Sequence, residues 1–168
     1  MKMNEMLAQE FEIEMAATRA VLSRVPFDQP EYTVHTKSMT GVRLATHIAQ
    51  LCSWAEMIMK TPEFDFSKVD PAMFSYNAKN SEELLSMLDA HTAAGRAALQ
   101  AASDASLDED WTLRSGDHVL FTTKRYMAYR RFALNHVIHH RGQLTVYLRL
   151  RDIPLPPTYG PSADEQMA

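Results

Sequence analysis

Hydrophobic residues recur every three or four positions in four long stretches of the chain, which is the spacing of helices with one buried face. The predicted helices cover residues 3–24, from 38 or 40 to 60, 80–103 and 122–151. Pro26 ends the first helix and Pro62 follows the second. Asn80 is the expected N-cap of the third helix, and Thr122 or Thr123 that of the fourth.

The segments between these helices differ in character. Residues 61–79 have no clear period but contain several aromatic rings, so we expect them to pack on the helices and to wall a pocket. In residues 111–121, large hydrophobic residues lie on both sides of a Ser-Gly-Asp sequence, which predicts a small β-hairpin between the third and fourth helices. Residues 152–161 contain four prolines and cannot be helical. The pattern predicts an all-α four-helix bundle with a Pro-rich C-terminal tail, forming one domain over residues 1–168.

Charge and composition narrow the classes of partner. The net charge is −4 and the pI is near 6.0, without a basic stripe, so we expect no nucleic-acid binding and no attraction to an anionic membrane. Neither a signal peptide nor an apolar stretch long enough for a membrane span is evident. The single cysteine, Cys52, suits a reducing compartment and a buried position. We therefore expect a cytoplasmic protein.

Histidines cluster on the inward face of the fourth predicted helix. With His136 as the origin, His140 lies about 40° to one side and Gln143 about 20° to the other, at about 100° per residue. Side chains four residues apart are neighbours on a helix, so the two imidazoles can bind one metal ion. The simpler alternative is that these histidines are hydrogen-bonded core residues.

A metal site needs a third ligand from another helix. His47 points inward from the second predicted helix together with Leu51 and Trp54, and we predict that it completes the site. His91, on the third helix, is a reserve ligand. His139 could replace His140, because it lies about 60° from His136, but His136 and His140 are the tighter pair.

Other residues on or near the inward face of the fourth predicted helix could take part in a reaction at the metal. Gln143 could hydrogen-bond a metal-bound water, a substrate, one of the metal-binding side chains or a neighbouring helix. Tyr129 and Tyr147 could stabilise an oxyanion or simply pack in the core. Val137 follows His136, so the His-Glu-x-x-His motif of zinc proteases, with its general base, is absent. Arg141 is expected to form a surface or interface salt bridge, with a substrate carboxylate as the alternative.

Four segments of the sequence resemble a known family. The run at 139–150, His-His-Arg-Gly-Gln-Leu-Thr-Val-Tyr-Leu-Arg-Leu, and the segment at 154–165 that begins Pro-Leu-Pro-Pro-Thr-Tyr-Gly-Pro are similar to the C-terminal signature of DinB-like (damage-inducible) four-helix-bundle proteins. The segment Ala-Thr-His-Ile-Ala-Gln-Leu at 45–51 resembles their second-helix histidine motif, and residues 18–22 fit their first helix.

The resemblance implies a divalent metal bound by His47, His136 and His140, an up-up-down-down bundle, and a homodimer. Characterised relatives include thiol-S-transferases that use bacillithiol or mycothiol and a mycothiol-dependent maleylpyruvate isomerase. A metal-dependent transferase or hydrolase acting on a small molecule is thus one expectation, with a low-molecular-weight thiol as co-substrate. A non-catalytic, stress-related metal-binding protein is the other. Three imidazoles suit zinc, nickel, cobalt or iron(II).

Overall fold

Four helical segments pack side by side in the computed structural model, which describes residues 2–166. The helices are α1 (Met3–Leu22), α2 (Gly41–Leu51), α3 (Ser53–Lys60), α4 (Ser81–Ala101), α5 (Asp104–Leu107), α6 (Arg125–Ala128) and α7 (Asn135–Arg149). A small sheet contains β1 (Glu63–Asp65), β2 (Asp110–Ser115) and β3 (His118–Lys124). We call α1 the first bundle helix, residues 41–60 the second, α4 the third and residues 125–149 the fourth. The predicted helical fold is confirmed.

Antiparallel packing joins the first and third bundle helices. Asn4, near the start of α1, donates a hydrogen bond to the carbonyl of Gln100, near the end of α4, at 2.9 Å. Towards the other end of α1, Arg19 pairs with Asp89 at 2.8 Å. Residue numbers thus rise along one helix as they fall along the other.

The second and fourth bundle helices are also antiparallel. The ring of His47 lies 4.9 Å from that of His140, while the carbonyl of Ile58 accepts a hydrogen bond from Arg125 at the start of the fourth helix, at 2.5 Å. This pairing brings the middle of α2 against the middle of α7.

The first and fourth helices run parallel, which fixes the order of directions. The carbonyl of Leu7 accepts a hydrogen bond from Tyr129, and Glu14 pairs with Arg141 further along both helices. In chain order the directions are therefore up, down, down, up, and the predicted up-up-down-down order is wrong. The segment at 61–80 runs back along the second bundle helix, so that the third bundle helix starts at the same end and is parallel to the second. We call this segment the crossover. The sequence left open which of the two long connections would form it.

The sheet is larger than the predicted hairpin. β2 and β3 pair antiparallel around Gly116, whose φ of 58° suits glycine. β1, within the segment that has no clear hydrophobic period, adds a parallel strand beside β2. Thr122 and Thr123 pair in β3 instead of capping the fourth helix, which begins at Arg125, because the strand alternation continues to Lys124.

A continuous apolar core fills the bundle and reaches under the sheet. Its largest fully buried side chains include Phe11, Ile48, Ile58, Trp111, Tyr129 and Leu144. Within residues 2–166, no helix is both long enough and apolar enough to cross a bilayer.

Candidate metal centre

His47 is held on α2 by a well-formed helix start. The Thr40 side chain accepts a hydrogen bond from the backbone N–H of Arg43 at 3.2 Å, the arrangement of an N-cap. His47 then falls on the partly buried face that meets the fourth bundle helix, beside the buried Ile48.

His136 and His140 face His47 from α7. Their ring centroids are 4.7 Å apart, and the ring of His47 lies 5.5 Å from His136 and 4.9 Å from His140. One ligand atom from each of the three side chains lies within 4.8 Å of the others. The structure thus brings together the three residues predicted as metal ligands, from two antiparallel helices.

Hydrogen bonds orient two of these rings. His140 Nδ1 lies 2.7 Å from Gln143 Oε1, so Nδ1 carries the proton and donates it to the amide oxygen. A ring N–H of His136 donates to the backbone carbonyl of Phe132. In both rings the other nitrogen keeps its lone pair, which is how metal-binding histidines are usually oriented.

Burial keeps the cluster uncharged. Burial lowers the pKa of His47 to about 4, with help from His140, His136 and Arg43. Burial is also the main cause that lowers the pKa values of His136 and His140. At neutral pH all three imidazoles are neutral, the form that binds a metal ion.

The two other candidate histidines lie outside this cluster. His91 Nδ1 is 2.8 Å from the carbonyl of Ala49 and so completes a hydrogen bond between helices. His139 is exposed, with its ring 4.9 Å from that of His140. Among residues 2–166, the group that could hold a metal contains His140 and not His139.

Tyr129 does not share the histidine face, contrary to the sequence expectation. Residues Tyr129–Leu134 form a π-helical segment, which holds more residues per turn than an α-helix and shifts the angular phase before His136. Tyr129 is fully buried, with its ring 6.3 Å from that of Phe11 and its hydroxyl directed at the carbonyl of Leu7. It belongs to the core.

Tyr147 and Gln143 border a cleft beside the histidines. The cleft has a volume of about 470 Å³ and is lined by Val34, Lys37, Ser38, Met39, Leu44, His140, Gln143, Val146 and Tyr147. The hydroxyl of Tyr147 donates to the carbonyl of Met39 at 3.0 Å, which holds the loop before α2 against α7. The cleft gives a small molecule access to His140.

Aromatic side chains pack together further along the two helices that carry the histidines. Phe132 is one turn before His136, and its ring lies 6.1 Å from that of Trp54. Trp54 in turn contacts Phe64 of the crossover, at 5.0 Å between centroids. As predicted, the aromatic residues of the crossover pack on the bundle.

From sequence, Arg141 was predicted to form a surface or interface salt bridge. The salt bridge is present, but it is buried between α1 and α7 and does not lie on the surface. The side chain is 3 % exposed and its Nη2 lies 2.7 Å from Glu14 Oε2. The hydroxyl of Tyr159, in the C-terminal tail, bonds both partners. Glu14 is buried in α1 despite its charge. Its position among the regularly spaced hydrophobic residues of α1 was the sequence signal from which this buried ion pair could have been predicted.

The fold and this cluster define a helical-bundle protein with a candidate three-histidine metal centre. The chain belongs to the DinB family, whose family model matches residues 1–167.

Relatives agree with this assignment. The chain is 24% identical over 168 residues to the uncharacterized protein YrdA of Bacillus subtilis (strain 168), covering 94% of this chain and 88% of that protein. The crystal structure of a DinB-like protein from Bacillus cereus ATCC 10987 superposes with a TM-score of 0.66 at 18% identity, covering 90% of this chain and 94% of that one. A DinB-like protein from Bacillus subtilis, YjoA, gives 0.66 at 20% identity, with coverage of 96% and 99%. The structural likenesses support the fold.

Proposed function

We propose that the protein is a metal-dependent enzyme of the thiol-transferase or hydrolase type, with a divalent transition metal bound by His47, His136 and His140. The observation that carries this proposal is the approach of one ligand atom from each histidine to within 4.8 Å of the others. Zinc, nickel, cobalt and iron(II) all accept three imidazole ligands.

The donor set fits a catalytic site better than a structural one. Three neutral nitrogens leave coordination positions free for water or substrate, whereas structural zinc sites are closed by four protein ligands. Cys52 is no candidate for a fourth ligand, because its buried thiol donates to the carbonyl of Ile48 and the group of converging ligand atoms contains only the three histidines among residues 2–166. The cleft beside His140 provides the access that a substrate requires.

A bound divalent metal would supply Lewis acidity, which activates a water molecule or a thiol. The chain's own contribution is orientation: Gln143 fixes His140, and Tyr147 holds the cleft wall. No Asp or Glu is among the residues that line the cleft. Thiol transfer needs no carboxylate base once the thiol is deprotonated, so this lining favours thiol transfer with a low-molecular-weight thiol as co-substrate over hydrolysis.

The same lack of a carboxylate base supports the second candidate, a non-catalytic, stress-related metal-binding bundle. The two candidates differ in what removal of the metal changes. An enzyme loses turnover on chelation, whereas a binding protein loses only stability through linkage.

Metal content tests the site before any substrate is known. Protein purified without a histidine tag is expected to contain or take up about one equivalent of zinc, nickel, cobalt or iron, because three ligands converge on one point. His47→Ala and His140→Ala should each abolish high-affinity binding, as measured by elemental analysis and competition with a chromogenic chelator.

His91→Ala is the matched control, because it removes a partly buried histidine that bonds a backbone carbonyl outside the cluster. It should keep the full metal content. A folded wild-type protein that takes up none of these metals would overturn the proposal.

We also propose a homodimer, as the family resemblance implies. Met6 and Ile13 of α1 are exposed large apolar side chains beside an open groove of about 600 Å³. Such a surface supports association between copies. Light scattering coupled to size exclusion tests this directly, and a monomer mass at micromolar concentration would reject it.

A further inference from the structure

Arg43 is a partly buried cation one helical turn from His47. Its guanidinium donates to Gln50 Oε1 at 3.3 Å and to the backbone carbonyl of Phe74. Both acceptors are neutral, and no carboxylate lies within ion-pair distance of Arg43 in the part of the chain that the structure describes.

The other partly or fully buried arginines contrast with this one. Arg125 pairs with Glu109 at 3.1 Å, and Arg141 pairs with Glu14 at 2.7 Å. The protein thus supplies a counter-ion to its buried guanidinium groups elsewhere, as the cost of burying an unpaired charge requires.

Acidic residues are missing from the chain segments that build the metal centre. The protein has 21 acidic and 17 basic residues, yet residues 32–55 and 118–151 contain no Asp or Glu. These segments supply all three histidines, Arg43 and every residue that lines the cleft. The segments that supply the histidines and the cleft lining thus carry basic but no acidic side chains, in a protein of net negative charge.

Such an arrangement suits an anionic ligand. A guanidinium presents five N–H donors, of which neutral acceptors here take two. Burial lowers the pKa of Arg43, which shows that its cation is poorly solvated. An anionic oxygen group can replace the Phe74 carbonyl and form the stronger, charge-assisted hydrogen bond.

We propose that Arg43 is the specificity-determining residue of the metal centre, and that it binds the carboxylate or phosphate of a small molecule whose other end reaches the three histidines. The inference rests on the proposed metal site. Side chains four residues apart on a helix lie about 5–6 Å apart at Cβ, so a short aliphatic spacer joins the two ends of such a ligand.

Two thiol probes of equal size test the proposal on cobalt(II)-loaded protein. The probes are 3-mercaptopropionate, which is anionic, and 3-mercaptopropanamide, which is neutral at the same end. The thiolate-to-cobalt absorption band reports binding of each probe without turnover. Wild-type protein should bind the anionic probe about tenfold or more tightly than the amide, as expected for a hydrogen bond to a charged group.

Variants assign that preference to one residue. Arg43→Gln should abolish the preference while cobalt content and circular dichroism stay unchanged, and Arg43→Lys should reduce it, because an ammonium lacks the planar fork. Lys37→Gln is the control, since Lys37 is a cation that lines the cleft. It should keep the preference. Repeating the wild-type comparison with inorganic phosphate as competitor separates a phosphate site from a carboxylate site.

The outcomes distinguish this inference from the proposal on which it rests. Failure to take up cobalt overturns both. Cobalt binding with equal affinity for the two probes overturns the role of Arg43 alone, and so does a preference that survives Arg43→Gln or disappears in Lys37→Gln. If Arg43→Gln does not fold, two results can still overturn the inference. One is equal affinity of the wild type for the two probes, and the other is an unchanged preference in Arg43→Lys.

Discussion

The orientation of His140 depends on one neighbour, Gln143, whose amide oxygen accepts the Nδ1 proton at 2.7 Å. The spacing of the histidines along the helix predicted their convergence, since it depends only on helical periodicity and a facing helix. The hydrogen bonds could not be predicted in the same way, because a glutamine amide can also face solvent or another helix. Arg43 was missed because an arginine one turn from a histidine is common on helix surfaces.

Replacing Gln143 tests this orientation. Gln143→Ala should weaken metal affinity by about tenfold or more without changing the stoichiometry, because the hydrogen bond that fixes the tautomer of His140 is lost. Competition with a chelator of known affinity measures the metal affinity of each variant. His139→Ala, at an exposed neighbouring position outside the three-residue group, should leave the affinity within about twofold. A larger effect in His139→Ala than in Gln143→Ala would favour the alternative ligand pair.

Element boundaries were the least predictable part of the fold. Regular α-helix geometry put Tyr129 and His136 on one face, but the π-helical segment Tyr129–Leu134 separates them. Strand β1 has only three residues and is defined by its partner β2, so no local periodicity could reveal it. Asp65 of β1 joins the sheet to the hairpin turn, since its carboxylate accepts hydrogen bonds from Gly116 N at 2.9 Å and Ser67 Oγ at 2.7 Å.

The pH dependence of stability should report the role of Asp65. The hydrogen bond from Gly116, followed by that from Ser67, lowers the pKa of Asp65 to about 2, below the ordinary value of 3.8. A carboxyl with a depressed folded-state pKa contributes stability above pH 3.8 and loses it as the pH falls towards 2. Asp65→Asn should therefore lower the Tm at pH 7 and converge with the wild type near pH 2.

Thermal melts from pH 7 down to pH 2 provide the measurement. Asp117→Asn is a suitable comparison, because it removes one carboxylate from the hairpin turn that Asp65 contacts, without the hydrogen bonds of Asp65. It should lower the Tm at pH 7 by less. A constant difference between wild type and Asp65→Asn at every pH would show that the carboxylate charge is unimportant there.

At the scale of the molecule, the helical-bundle class followed from four amphipathic stretches, but the order of helix directions did not. Both connections, 23–40 and 61–80, are long enough for a crossover, so only tertiary packing could choose between them. One packing point is Gly95 of α4, where the first, second and third bundle helices meet. A Cβ built at Gly95 would lie 3.0 Å from Ala55 Cβ and 3.0 Å from Phe11 Cζ.

Two glycine substitutions should therefore act in opposite directions. Gly95→Ala should reduce the free energy of unfolding by about 1–3 kcal/mol, because overpacking outweighs the higher helix propensity of alanine. Gly142→Ala, on α7, should increase it by about 0.5–1 kcal/mol, since a Cβ there meets no atom within 4 Å and only the propensity changes. Urea unfolding of the metal-free proteins measures both. Stabilisation by Gly95→Ala would mean that the helices can separate at little cost.

The π-helical segment has a consequence for insertions and deletions. A π turn behaves as one extra residue within an α-helix. Deleting a single residue from 129–134 would therefore allow regular α-helix throughout and leave the two flanks in nearly their present angular relation. Deleting a second residue would rotate the flanks by about 100° relative to each other. Either the histidines would then turn away from α2, or Arg125 would leave Glu109 and the carbonyl of Ile58. This helix can thus lose one residue at the π turn but not two.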